Sequence, residues 1–239
     1  MRYFADNRGK THGQTTKLLN VLQDDLQRGG AAWYAAVKDF ECDGWAFGSA
    51  TKTNFANTLT WMRRLLDDGK LQTTQWIHIL GIGTLEHGVL YTALQRRLSA
   101  AVGHKIQISY DSSTPFQLGG KFQRYLQDPA LTADPATWVL QHKQLPEKYE
   151  VEPADLQKHI SDASSPVMAK LKLEDFHTHS GDFVQRTVGS EINPLLVNHN
   201  MYAYHSAVLK ANALLDDNAQ QSLPPEILKN LQAVDQQFA

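Results

Sequence analysis

Short apolar runs alternate with amphipathic stretches through the first half of the chain. Trp45-Ala46-Phe47, Gln75 to Leu80 and Lys105 to Tyr110 have the length and composition of buried strands. Helices are predicted from about Asn54 to Asp67 and from Leu85 to Leu98, because apolar residues recur there every three or four positions. This alternation is typical of βα units, and it predicts an α/β fold around a parallel sheet.

The first forty residues give a less regular pattern. Arg2 to Ala5 is a short run that suggests a strand. Leu18, Leu19, Leu22 and Leu26 then recur at helical spacing, which predicts a helix that begins near Thr15 or Thr16 and ends at Gly29-Gly30.

The pattern changes after Asp111. Prolines and glycines punctuate the next stretch, which predicts short helices and loops in an insertion or subdomain. Asn193-Pro194 begins a long helix through Leu215, and Pro224-Pro225 begins a last one. We therefore expect βα units over residues 1–115, a helical and loop insertion over 116–190, and C-terminal helices over 191–239 that pack on the βα part.

Composition limits the classes of function. The chain has 239 residues, 42% of them hydrophobic, and a formal net charge of −2. It has neither a membrane-spanning apolar stretch nor a signal-peptide pattern, and Cys42 is its single cysteine, so we expect a protein of the cytoplasm without internal disulfides. Any nucleic-acid partner must be bound by a local basic patch, for which the candidates are Arg63-Arg64, Arg96-Arg97 and Lys121/Arg124.

Polar and glycine-rich segments follow the three predicted strands: Gly48-Ser49-Ala50-Thr51, Gly81-Ile82-Gly83-Thr84 and Asp111-Ser112-Ser113-Thr114. Parallel strands bring their carboxyl ends to one edge of the sheet, where α/β proteins bind ligands. Asp111 is the strongest candidate there, because a carboxylate in this position acts as a nucleophile at a sugar carbon or as a base. The alternative is a structural turn or helix cap leading into Pro115.

A second polar cluster raises the question of a metal. His177, His179 and Asp182 lie close together in sequence, and all three, with His199, are acceptable zinc ligands. A polar surface loop explains the same segment, and we favour that interpretation, so zinc is possible but not expected.

Four segments taken in order resemble the tRNA-guanine transglycosylase superfamily, whose members exchange guanine for a 7-deazaguanine on a (β/α)8 barrel. The segment Asp43-Gly44-Trp45-Ala46-Phe47-Gly48-Ser49 looks like the family's strand that ends in a glycine pair. His78-Ile79-Leu80-Gly81-Ile82-Gly83 looks like its Met-Gly-Val-Gly strand. Ser109 to Pro115 looks like the strand that carries the nucleophilic aspartate, and Leu195 to Tyr202 resembles a His-Asn segment that opens a C-terminal helix.

The resemblance implies roles for individual residues. Asp111 is the expected nucleophile, Gly48, Ser49 and Gly81 are expected to contact the base, and Leu80 is expected to lie under it. The family's zinc histidine matches His199, but its cysteine cluster has no counterpart in this chain. No other cofactor is implied.

The same resemblance implies a fold and partners. The family's early aspartates are not identifiable, so we expect the C-terminal part of an incomplete TIM-type barrel with a helical C-terminal region. The absence of a cysteine cluster looks more like the phage and bacterial branch that modifies DNA than the enzymes that modify tRNA. DNA and tRNA both stay open as acceptors, a 7-deazaguanine base is the expected co-substrate, and the compartment is the host cytoplasm if the protein is viral.

Two other functions remain open. One is a catalytically inactive fragment that binds nucleic acid or a base and needs a partner chain, either a second copy or another subunit. The other is an unrelated βα enzyme, such as a sugar or phosphate-ester hydrolase, which the serine-rich segment after Asp111 favours.

Overall fold

The structure is a computed structural model, and it describes residues 2–7, 16–48, 54–146, 150–160, 164–177, 192–216 and 219–239. The fold is mixed α/β, with a parallel sheet and a small antiparallel one. The chain divides into two compact units. The first unit comprises residues 1–83, 87–112 and 225–239, and the second comprises 84–86 and 113–224. The three-part division expected from the sequence stays a prediction.

The first unit is built on a four-stranded parallel sheet in the order β1-β2-β3-β4. Helices connect consecutive strands, as parallel pairing requires. The strands are β1 (Leu19–Leu22), β2 (Gly44–Phe47), β3 (Trp76–Ile79) and β4 (Gln107–Tyr110). The helices that fall mainly in this unit are α1 (Arg2–Asn7), α2 (Ala31–Val37), α3 (Phe55–Asp67), α4 (Leu85–Val102) and α8 (Pro225–Gln237), with shorter helical turns at Leu26–Gly30 and Lys70–Gln72.

One face of this sheet is part of the hydrophobic core. Side chains alternate between the two faces of a strand, so residues two positions apart lie on the same face. Phe47, Ile77 and Ile79 are fully buried on this face. The helices add large buried side chains, among them Tyr34, Trp61, Met62, Leu65, Tyr91 and Leu94.

The opposite face is smaller and more polar. It carries Trp76 and His78 of β3 and Ser109 of β4, all of them partly exposed. The β3–β4 register pairs His78 with Ser109, so these two side chains are cross-strand neighbours. Gly44 begins β2 on this face next to the Trp76 carbonyl, where a Cβ atom would lie 1.7 Å from the oxygen.

The two edge strands of the sheet have side-chain partners on their outer sides. The Ile108 amide of β4 donates to the Gln95 side chain at 2.7 Å. On β1, the Val21 carbonyl accepts from the Trp33 indole at 2.6 Å. These contacts satisfy backbone groups that sheet pairing leaves open.

The second unit contains an antiparallel pair, β5 (Arg124–Leu126) and β6 (His142–Gln144), and the long helix α7 (Asn193–Asp216). Two apolar clusters form its core, one around Tyr125, Phe176 and Leu196 and one around Leu118, Leu126 and Ala203. Short helices complete it: α5 (Thr114–Phe116), α6 (Pro153–Leu156) and turns at Gln117–Lys121, Pro135–Trp138, Met168–Lys170, Leu173–Phe176 and Gln220–Ser222.

The sequence predictions for the N-terminal region are wrong in two places. Arg2–Asn7 is helical, and the Asn7 side chain donates to the Tyr3 carbonyl one turn earlier. The leucines at helical spacing do not form one helix: Leu19–Leu22 is a strand, and helical structure starts only at Leu26. The strand was hidden because Asn20 occupies a buried position, where its amide donates to the Val37 and Phe40 carbonyls.

The other predicted elements are confirmed. Strands lie at β2, β3 and β4, and helices at α3, α4, α7 and α8, with end points within a few residues of those expected. Asn54 is the N-cap of α3, and its side chain accepts from the Ala56 amide. None of the helices in the described ranges is long and apolar enough to cross a membrane.

Candidate functional site

Asp111 lies at the carboxyl edge of the parallel sheet, directly after the last residue of β4. Its Oδ1 accepts a hydrogen bond from the Gly81 amide at 2.8 Å. The carboxylate therefore binds the segment that follows the neighbouring strand β3. The alternative left open by the sequence was a turn or helix cap, in which the carboxylate would bind a backbone group of its own segment. The side chain is 57% exposed, and among the described residues no hydrogen bond reaches Oδ2. One carboxylate oxygen is anchored, and the other has no hydrogen-bond partner among the described residues.

His78 also contacts this carboxylate. Its Nε2 lies 3.3 Å from Asp111 Oδ1, and its Nδ1 lies 2.8 Å from Ser109 Oγ. Ser109 Oγ in turn accepts from the Trp76 indole at 2.6 Å. We call Trp76, Ser109, His78 and Asp111 the relay.

With a neutral His78 ring, one arrangement of hydrogens matches the donors and acceptors of the relay. The Trp76 indole can only donate, so Ser109 Oγ accepts there, and in this arrangement the hydroxyl hydrogen of Ser109 points to His78 Nδ1. The neutral His78 ring then carries its hydrogen on Nε2, where it faces Asp111. Each polar group between the indole and the carboxylate is thereby satisfied.

The backbone conformation of Gly81, whose amide anchors Asp111, favours glycine at this position. Gly81 has φ +66°, a left-handed conformation that a Cβ atom disfavours by about 1–2 kcal/mol. This conformation ends β3 and accompanies the amide donation to Asp111. Just before it in the chain, Leu80 is 37% exposed and offers an apolar contact surface.

The remaining base-contact candidates lie after β2. The Gly48 amide donates to the Leu22 carbonyl, which extends the β1–β2 pairing by one residue. The Gln23 side chain comes within 3.2 Å of where a Gly48 Cβ would be. Ser49 lies outside the described residues.

The zinc candidates have protein partners where they are described. His199 is fully buried, its Nδ1 lies 2.8 Å from Ser165 Oγ, and its Nε2 lies 2.9 Å from the Leu126 carbonyl. Burial lowers the pKa of His199, against the opposing effects of the Leu126 carbonyl and Asp128. His177 Nε2 lies 3.0 Å from the Pro146 carbonyl, while His179 and Asp182 fall outside the described residues. Within the described ranges, no group of three or more potential ligands surrounds a metal position.

The predicted basic patches are largely paired with acidic side chains. On α3, Arg63 contacts Asp67 at 2.7 Å and Arg64 contacts Asp68 at 3.1 Å. Arg97 contacts Asp235 at 2.6 Å. Binding a phosphate with any of these arginines means exchanging an existing ion pair, which weakens their case as phosphate ligands. In the second unit, Lys121 lies over the Phe122 ring and Arg124 donates to Gln144.

A cavity of about 560 Å³ lies at the other, amino-terminal edge of the same sheet. It is lined by Asn20, Lys38, Asp43, Trp45 and Thr74, among others. Ligands of parallel sheets bind outside the carboxyl ends of the strands, so the position of this cavity does not favour it as the reactive site.

The sequence interpretation gave no role to His78, Ser109 or Trp76. The signal was spacing by two: Trp76 and His78 share one face of β3, and Ser109 and Asp111 are two residues apart at the end of β4. A prediction of the relay also required the register of β3 against β4, which the sequence alone does not supply.

Comparisons of the chain with protein-family models, with curated proteins and with solved structures find no match. The resemblance to the tRNA-guanine transglycosylase superfamily thus stays a prediction, and the case for a function depends on the geometry around Asp111.

Proposed function

We propose that the protein exchanges a nucleobase in nucleic acid, with Asp111 as the nucleophile. The observation that carries the proposal is the state of the carboxylate: the side chain is 57% exposed, the Gly81 amide anchors Oδ1, and Oδ2 has no partner among the described residues. A carboxylate held this way has a fixed direction of attack. Leu80, the residue before Gly81, has an exposed apolar side chain on which a purine ring can lie.

The reaction takes place in two displacements. Asp111 Oδ2 attacks the anomeric carbon of a guanosine unit, a carbon–oxygen bond forms, and the bond from that carbon to N9 breaks with its electron pair going to guanine, which takes a proton from solvent. An incoming 7-deazaguanine then attacks the same carbon through its ring nitrogen and gives up that nitrogen's proton to water. The carboxylate leaves unchanged, so the exchange needs no oxidant or reductant.

The proposal includes a finer description of the fold, a (β/α)8-type barrel of which this sheet is a part. The consecutive order β1-β2-β3-β4 with helical connections supports it, because barrel strands follow one another in this way. A base inside a duplex must also be extruded, at a cost of a few kcal/mol that contacts to the base have to offset. DNA and tRNA are both proposed acceptors.

The experiment measures incorporation of radiolabelled guanine into duplex DNA and into tRNA. Wild-type protein is expected to label one of them, and Asp111→Asn is expected to reduce the rate at least about 1,000-fold, because an amide oxygen is a poor nucleophile and the covalent step is lost. Asp39→Asn is the control, since Asp39 is an exposed carboxylate paired with Lys70. Unchanged labelling by Asp111→Asn would remove Asp111 from this role.

A second candidate is a catalytically inactive module that binds a base and works with a partner chain. It is favoured by one observation: within the described part of the chain, no second carboxylate joins the relay to act as an acid or base. Calorimetric titration with guanine and with a 7-deazaguanine separates the candidates. Saturable binding by wild-type protein without any exchange supports the module and contradicts the enzyme.

A further inference from the structure

We infer that His78 is a positioning residue for Asp111, and that Ser109 and Trp76 hold it in the tautomer that serves this purpose. The inference rests on the proposed function in one respect, the assignment of Oδ2 as the attacking atom. The geometry that supports it is the relay: indole to hydroxyl at 2.6 Å, hydroxyl to imidazole at 2.8 Å, and imidazole to carboxylate at 3.3 Å.

The exposure of its side chains shows which end of the relay a substrate can reach. The Asp111 side chain is 57% exposed and the His78 side chain 21%. Ser109 lies within β4, between residues that pair with β3. The carboxylate is thus the end that solvent and substrate can reach, and the indole is the anchored end.

The same three residue types form the triad of serine hydrolases, but here the exposure is reversed. In acyl transfer the serine must reach the substrate while the aspartate is buried behind the histidine. Ser109 Oγ instead accepts from Trp76 and is hydrogen-bonded to His78 Nδ1, so two protein groups already engage the hydroxyl. The arrangement therefore makes Asp111, and not Ser109, the reacting group.

The tautomer determines what His78 does to the carboxylate. With the hydrogen on Nε2, the ring turns its N–H toward Oδ1 at an N···O distance of 3.3 Å, so that the imidazole and the Gly81 amide both hold the same carboxylate oxygen. With the hydrogen on Nδ1, a nitrogen lone pair would face Oδ1 and push it away. Ser109 supports the first case by turning its hydroxyl hydrogen to Nδ1, and the indole of Trp76, which donates to the same oxygen, holds the hydroxyl in place.

The first test is nuclear magnetic resonance of protein labelled with ¹⁵N in its histidines, recorded at about pH 8.5, where an ordinary imidazole is neutral. The His78 signals are assigned by their loss in His78→Gln. We expect the hydrogen of His78 on Nε2 in wild-type protein, a larger Nδ1–H fraction in Ser109→Ala, which has no hydroxyl hydrogen to offer to Nδ1, and a smaller change in Trp76→Phe, which keeps the hydroxyl. A predominant Nδ1–H tautomer in wild-type protein would overturn the inference.

The second test is the rate of base exchange. His78→Ala is expected to lower kcat about 100-fold with KM little changed, because a misplaced nucleophile loses rate and not binding. His78→Gln should restore most of the rate, since a glutamine amide can donate to Asp111 and its oxygen can accept from Ser109. His104→Gln is the control, because that ring contacts the Thr74 carbonyl and no carboxylate.

The two tests fail in different ways. Absence of exchange with the Nε2–H tautomer intact removes the proposed function and leaves the relay as described. Normal exchange by His78→Ala removes the positioning role while the proposed function stands. Covalent labelling of Ser109 by a fluorophosphonate in wild-type protein would overturn both, because it would identify the serine as the nucleophile of a hydrolase.

Discussion

Each of the two units contains a histidine whose Nδ1 lies 2.8 Å from a serine hydroxyl, and the two histidines differ in everything beyond that contact. In the first unit, His78 is partly exposed and its Nε2 faces the carboxylate of Asp111. In the second unit, His199 is fully buried and its Nε2 faces the Leu126 carbonyl. The same histidine–serine pair contacts an exposed carboxylate in one unit and a backbone carbonyl in the other.

The difference shows what turns a histidine from a structural residue into a candidate for chemistry. A buried ring with both nitrogens on fixed protein partners can stabilise a fold but cannot reach a substrate. A partly exposed ring on the face of a sheet, next to a carboxylate whose second oxygen has no partner in the described residues, can reach a substrate. The two roles, structural and chemical, are therefore distinguished by the burial of the ring and by the group that faces its Nε2. The histidine–serine contact is the same in both units and does not distinguish them.

The largest expected effect is on the stability of the second unit. His199→Ala leaves the Leu126 carbonyl and Ser165 without a partner and opens a cavity, so the free energy of unfolding should fall by roughly 3–4 kcal/mol. His78→Ala should cost less than about 1 kcal/mol, because water can replace its contacts. Urea denaturation measures both values.

The control for that comparison is His205→Ala, an exposed histidine on the same helix α7, for which a change within about 0.5 kcal/mol is expected. Hydrogen exchange followed by mass spectrometry should locate the loss of protection from His199→Ala in residues 113–224. Equal destabilisation by His78→Ala and His199→Ala would contradict the distinction between the two histidines.

The serines should repeat the contrast on a smaller scale. Ser165 is 6% exposed, and its hydroxyl also accepts from the Met168 amide at 3.1 Å. Ser165→Ala should therefore reduce stability by about 1–2 kcal/mol, and Ser109→Ala by less than about 1 kcal/mol, since Ser109 is partly exposed. The same denaturation experiment gives the answer, and a larger loss for Ser109→Ala would reverse our assignment of which serine is structural.

The smallest effect is the dependence of stability on pH. Burial lowers the pKa of His199 below its ordinary value of 6.5, so below that pH the unfolded chain binds a proton that the folded protein resists. Between about pH 7.5 and pH 6, stability should fall by less than about 1 kcal/mol from this group. His199→Gln should show a shallower slope over this range, and an unchanged slope would show that His199 does not contribute.

Much of the first unit could be predicted from the sequence because its pattern agrees with its structure. The buried run Trp45-Ala46-Phe47 has no polar residue to interrupt it, and Asn54 is a strong capping residue ahead of the apolar stripe of α3. The position of Asp111 at the carboxyl edge followed from the end of a single strand. These are local signals, and local signals are present in one sequence.

The rest depends on contacts between distant parts of the chain. Asn20 is polar and yet buried, with its side-chain N–H groups bound to carbonyls 17 and 20 residues away, and the sequence does not reveal those partners. His78 and Ser109 are 31 residues apart and meet only through strand register. The antiparallel pair β5–β6 is three residues long on each side, too short for alternation to be recognised.

One side-chain contact occupies the outer side of the edge strand β4, where a further strand would pair. The Ile108 amide of β4 is engaged by Gln95, a residue of the helix that precedes the strand. Any fifth neighbour, from this polypeptide or from another copy, must first displace that glutamine and offer a carbonyl in its place. Gln95 thus satisfies a backbone donor that would otherwise be open to pairing with another strand.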